Sequence, residues 1–172
     1  SISIIGLLEG GSALDPPGKL GTANFTASML MRGNEKYTFH EISDQLESVG
    51  ANLSFSASTM NTWFHGHCLV KDFSMLLSLL FDSLTKPTFP EEYIERLRNQ
   101  LLTALIMRDQ DTQERPALEF DKILFQGHPY ALPVDGFTET ISQIQREDLI
   151  NYHSNYHPQH AILAVCGALP LE

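Results

Sequence analysis

With 172 residues, 42% of them hydrophobic and 19% charged, the chain has the make-up of a folded domain long enough to bury a core, which excludes a disordered segment. Its 21 acidic and 11 basic residues give a formal net charge of -10 with no Lys/Arg cluster, so a nucleic-acid backbone would be repelled. The longest apolar stretches, around Phe73 to Leu84 and Ala161 to Val165, are too short or too interrupted to span a bilayer, and no signal-peptide pattern opens the chain, so it reads as soluble.

In chain order, residues 2–9 read as a strand, and GGSALDPPG after it is a turn-rich loop, because Pro fixes φ and Gly admits positive φ. A helix is predicted over about 19–32, stopped by Gly33. Thr38-Phe39-His40-Glu41 has the pattern of a capping box, and Phe39, Ile42, Leu46 and Val49 then share one face of a helix that Gly50 ends. Leu53, Phe55 and Ala57 alternate with Asn52, Ser54, Ser56 and Ser58. A second β-rich run over 62–70 follows the turn Thr59-Met60-Asn61, which predicts a hairpin with one polar face.

Phe73, Leu76, Leu77, Leu80, Phe81 and Leu84 recur at helical spacing from about residue 72. After TKPTFP, Pro90 takes the first helical position with Glu91 and Glu92 in the first turn, where the dipole favours them, and the helix runs to about Met107. Another covers about 112–125 with Gly127 as its stop; Pro116 is tolerated in its first turn. Residues 138–144 make a short helical turn, 147–157 a helix closed by Pro158, and 161–167 a buried strand. The order predicts an α+β fold, with helices covering one face of an antiparallel sheet formed by residues 2–9, 51–57, 62–70 and 161–167. No internal repeat or low-complexity linker interrupts it. The chain starts inside a strand-like run with no initiator Met, and Leu171-Glu172 reads as a vector scar, which leaves 1–170 as one domain.

The familiar chemical motifs are absent or incomplete. Gly18-Lys19 after a strand resembles a phosphate loop, but Ala13 and Leu20 replace its first Gly and its hydroxyl, and Pro16-Pro17 remove two N–H groups. His153 and His157 have i, i+4 spacing, yet no carboxylate lies between them and Pro158 follows at once, so an exposed helix end is expected. His65 and His67 share a strand face with Trp63 and Leu69, which favours a packed surface over a ligand pair. His40 and His128 sit in cap or turn contexts. Cys68 and Cys166 lack CxxC spacing and read as buried free thiols, which leaves the compartment open, cytoplasmic or periplasmic.

Four runs carry more. GKLGTANFTASMLMRGN, EISDQLESVGANLSFSASTMNTWF, TKPTFPEEYIERLRNQLLTALIMRDQD and LFQGHPYALPVDGFTETISQIQREDLINYHSNYHPQHAILAVCGAL resemble, in order and along nearly the whole chain, the insulinase/pitrilysin-type zinc peptidases. The resemblance implies a single insulinase-like or mitochondrial-processing-peptidase-like domain over 1–170. Only the family's opening strand pair and everything after the last strand are missing from it.

Active members carry an inverted HxxEH on the helix after the Gly turn, with two zinc-binding His, a general-base Glu between them, and a second Glu ligand on a later helix. Carried over through GTANFTASM and LLTALIM, the resemblance puts Asn24 and Ser28 at the two His, Ala27 at the base and Ala104 at the distal Glu. It therefore implies a degenerate member with no catalytic residues, no metal site and no cofactor of its own, zinc being expected only in an active homologue or partner. Domains of this family pair as clamshells around unfolded peptide. The implied partner is an active insulinase-like subunit, or a second copy of this chain. Substrate pairing with a sheet edge carries over to Leu53, Ser54, Phe55, Ser56, Ala57 and Ser58, which serve either as that edge or as one protected by its serines. Two other readings stay open: an active peptidase whose HxxEH lies elsewhere in the parent protein, and a structural assembly subunit that reuses the fold.

Overall fold

The computed structural model describes residues 1–168; the expectation for Leu171-Glu172 lies outside them. Alternation builds the sheet. In β1 (Ile2–Glu9), Ile2, Ile4 and Leu8 are buried while Ser3, Ile5 and Glu9 are exposed. Thr62, Phe64, Gly66 and Cys68 of β3 (Asn61–Cys68) are buried, and Trp63, His65 and His67 are exposed. With β2 (Asn52–Ala57) and β4 (Ile162–Gly167) these form one antiparallel sheet in the order β2-β3-β1-β4. This is the predicted α+β arrangement, with one sheet face covered and one open.

Seven α-helices are present among the described residues: α1 (Thr22–Met29), α2 (Phe39–Ser48), α3 (Phe73–Thr85), α4 (Glu91–Gln110), α5 (Glu114–Leu124), α6 (Thr138–Ile141) and α7 (Arg146–His153). Ile2, Ile4 and Phe64 of the sheet pack with Ile42 of α2 and Leu76 and Leu80 of α3 in one cluster. A second cluster joins Phe25 and Met29 of α1 to Leu97 of α4, Ile141 of α6 and Leu149 of α7. Each fully buried Leu, Ile, Met or Phe contributes about 1.5–3 kcal/mol. None of the described helices is long and apolar enough to cross a membrane.

The capping box of α2 forms as its sequence implies. Thr38 Oγ1 accepts from the Glu41 N–H at 3.3 Å and Glu41 Oε2 accepts from the Thr38 N–H at 2.8 Å, which lowers the Glu41 pKa. Other boundaries move, each for a local reason. The first helix is shorter than the predicted 19–32, because Gly21 stands at φ 95 just before it and the chain tightens at Leu30, whose N–H donates to Ala27 O. Pro90 is the residue before α4 rather than its first helical position, with an extended ψ of 132. The buried Phe89 ahead of it holds φ 46, and its carbonyl accepts from Arg146 Nε at 2.8 Å.

Three expectations for the C-terminal third are corrected. The helix α7 ends at His153, so His153 and His157 do not share a helical face; the chain turns back there and brings the Tyr156 hydroxyl within 3.1 Å of Thr62 Oγ1. His153 is half-buried, not an exposed end: its Nε2 is 2.7 Å from Leu84 O, and burial lowers its pKa. The strand β4 is exposed along its length, and Cys166 with it, because among the described residues β4 pairs only with β1 and nothing flanks its other side. Cys68 is buried as expected, and burial raises its pKa.

Candidate functional site

Helix α1 begins without a side-chain cap of its own, and a residue from the preceding loop supplies one. Asp15 Oδ2 accepts from the Gly21 N–H at 2.7 Å and Oδ1 from the Ala23 N–H at 2.8 Å, satisfying donors that a helix start otherwise leaves orphaned. Burial pushes the Asp15 carboxyl up to about 6, against the pull of these N–H groups. The same enclosure raises Tyr152 beyond the normal phenol range and Tyr156 to about 12. The Tyr152 hydroxyl donates to Gly11 O at 2.8 Å, which ties α7 to the loop after β1. Lys19 meets Asp148 Oδ1 at 2.6 Å; burial opposes ionisation of that carboxyl, and Lys19 with the Gln145 N–H outweighs it, so its pKa falls.

Against this fixed helix start lies a hollow of about 420 Å³ lined by Asn24, Leu101, Ala104, Leu105, Arg108, Glu114 and Asp135. It brings together Asn24 of α1 and Ala104 of α4, two positions 80 residues apart. Asn24 Nδ2 donates to Asp135 Oδ1 at 3.2 Å. Arg108 Nη1 donates to Gly136 O at 3.1 Å, while its Nε is buried without a partner among the described residues. Ala27 is fully buried and Ser28 half-buried, and neither lines the hollow. Among the described residues no three His, Cys, Asp or Glu side chains gather closely enough to hold a metal ion.

The hollow's polar rim was missed in the sequence. Asp135 lies in HPYALPVDG, a run with no periodicity, and Arg108 follows the last apolar residues of α4, where a basic side chain reads as a dipole partner. Leu53, Ser54, Phe55, Ser56 and Ala57 lie in β2, which is an outer strand of the sheet and leaves one backbone edge unpaired among the described residues. Ser58 lies beyond it and is committed to the turn: its N–H donates to Asn61 O at 2.7 Å and its carbonyl accepts from the Ser12 N–H at 3.0 Å.

The family model Insulinase (Peptidase family M16) matches residues 2–136. An uncharacterized zinc protease of Mycobacterium leprae is 27% identical over 148 residues, covering 86% of this chain and 33% of that protein. A probable mitochondrial-processing peptidase subunit beta of Arabidopsis thaliana is 26% identical over 166 residues, covering 96% of this chain and 31% of its own length. The chain thus spans about a third of the length of these relatives. Among solved structures, a peptidase M16 inactive domain from Pseudomonas fluorescens superposes with a TM-score of 0.91 at 27% identity, over 98% of this chain and 42% of that one. A protease from Helicobacter pylori shares the fold, with a TM-score of 0.90 at 20% identity over 99% of this chain and 42% of that one. The resemblance carried by the four sequence runs is borne out, and the chain belongs to the insulinase family, peptidase family M16.

Proposed function

We propose that the chain is part of a non-catalytic insulinase-family homologue, a subunit or half that shapes a peptide chamber beside an active partner. One observation carries the reading: the α1–α4 hollow is faced by the Asn24 amide and the Ala104 methyl where the family's chemistry calls for an imidazole and a carboxylate. A catalytic zinc takes three His, Cys or carboxylate ligands and keeps a fourth position for water. Asn24, Ala27, Ser28 and Ala104 offer one amide, one hydroxyl and two methyl groups, so they do not fit it. With no Glu at position 27 and no imidazole or carboxylate at positions 24, 28 and 104, the family's own means of lowering the pKa of a water and taking its proton is missing from these four positions.

The solved Pseudomonas fluorescens neighbour is itself described as an inactive domain, which supports the reading. Two relatives are named as a zinc protease and as a processing-peptidase subunit, which supports a place in a peptidase assembly. The unpaired edge of β2 is suited to strand addition, which recognises extended peptide through backbone hydrogen bonds without demanding a sequence. The partner in this reading is an HxxEH-bearing insulinase-like subunit, with zinc resident there. A second reading, an HxxEH elsewhere in the same parent protein, is favoured by the length of the relatives beyond the matched third.

The test is cleavage of an unfolded peptide by the full-length protein, by an HxxEH-bearing counterpart, and by their mixture. Activity is expected to rise only in the mixture. Cleavage by the full-length protein alone, persisting after any HxxEH elsewhere in it is mutated, would refute the proposal.

A further inference from the structure

The open face of the sheet presents a pair of histidines that the hollow does not use. His65 and His67 stand two residues apart on β3, both exposed, on the side opposite the buried Phe64 and Gly66. The expected packed surface is only partial: Trp63 is 37% and Leu69 49% exposed on the same side. The imidazoles of His128, His153 and His160 are each engaged in a hydrogen bond, whereas His65 and His67 have none among the described residues. Across the ladders, Ile5 and Ser54 oppose His65, and Ser3 and Asn52 oppose His67. None of these four is cationic, and all are exposed, so water has free access to the imidazoles.

We propose that His65 and His67 form a two-histidine chelate for a divalent first-row transition metal, copper(II) above all. Side chains at i and i+2 of a strand lie about 7 Å apart. Two imidazoles leaning together from that spacing can each place a nitrogen about 2.0–2.1 Å from one shared ion. Imidazole suits copper, nickel and zinc, and copper(II) heads the divalent series for nitrogen ligands. Water completes the coordination, with the Asn52 and Ser54 side chains beside it on β2. The net charge of -10 adds a favourable long-range field for a cation. Two ligands make the site labile, unlike a three-ligand structural centre.

The chain supplies its own reporter, since Trp63, its single tryptophan, precedes His65 by two residues on the same face. The 172-residue chain, freed of any affinity tag, is titrated with copper(II) chloride while tryptophan emission is followed. Saturable quenching at one copper per chain is expected. His65→Ala and His67→Ala should each weaken it at least about tenfold. A His157→Ala/His160→Ala double variant should titrate like the parent. Electron paramagnetic resonance of the one-to-one complex should show coupling to two imidazole nitrogens, and circular dichroism should show the same fold in every variant. Quenching that never saturates, that survives unchanged in both β3 variants, or that disappears only in the His157→Ala/His160→Ala protein would overturn the proposal.

Discussion

Asp15→Ala is expected to lower the stability of the fold by about 2–3 kcal/mol, read from chemical unfolding at pH 7. The carboxylate accepts from two backbone N–H groups at the start of α1, Gly21 at 2.7 Å and Ala23 at 2.8 Å, in a region otherwise without a cap. Alanine leaves both donors buried without a partner. The pH dependence distinguishes this group from an ordinary cap. Because burial raises its folded pKa to about 6, its titration favours the folded state fully below the unfolded pKa near 4, and that contribution is lost as pH rises through about 6. The parent should therefore lose stability relative to Asp15→Ala between about pH 4 and pH 6, and run parallel to it above about pH 7. Parallel curves across the whole range would contradict the buried-carboxylate assignment.

Gly136→Ala is expected to cost about 3 kcal/mol or more, through strain and a clash that add. Gly136 holds φ 72, in the left-handed region that a side chain disfavours, and an added Cβ would run into the carbonyl oxygen of Leu20. That carbonyl cannot retreat freely, since it accepts from Thr140 Oγ1 at 2.7 Å. Its neighbour Gly21, at φ 95, opens α1. The loop over 133–137 therefore clasps the first turn of α1 and sets Asp135 against Asn24. Thermal unfolding of Gly136→Ala measures the effect; a melting temperature equal to the parent's would show that the loop does not hold the helix as described.

How much of this was legible in the sequence depends on the range of the interaction. The capping box at Thr38 and Glu41, the alternation of the β2–β3 hairpin and the apolar face of α3 are written in residues a few positions apart, and they appear where expected, except that on α3 Phe81 is exposed and Leu79 is buried. The cap of α1 is not, because Asp15 reaches past Pro16-Pro17 and Gly18 to N–H groups six and eight residues on. The exposure of β4 is illegible for another reason: an apolar run states that a strand is meant to be covered, and which element covers it lies outside the strand itself. His153 misled in the opposite direction, since a His near a helix end reads as exposed until Leu84 and Phe89 arrive from elsewhere in the chain. The joining of Asn24 to Ala104 was legible only through family resemblance, and Asp135 and Arg108 beside them were not legible at all.

The most direct measurement is the zinc content of the full-length, tag-free protein carrying His65→Ala and His67→Ala, determined by elemental analysis after dialysis against buffer without chelator. Removing the outer-face histidines leaves any tightly held zinc to be accounted for elsewhere in the chain. The expected result is zinc far below one per chain, unchanged by Asn24→Ala or Ser28→Ala, because those side chains, Ala27 and Ala104 supply no imidazole, thiolate or carboxylate. About one zinc per chain, lost on either of those two substitutions, would contradict the loss of the zinc ligands at the α1–α4 site.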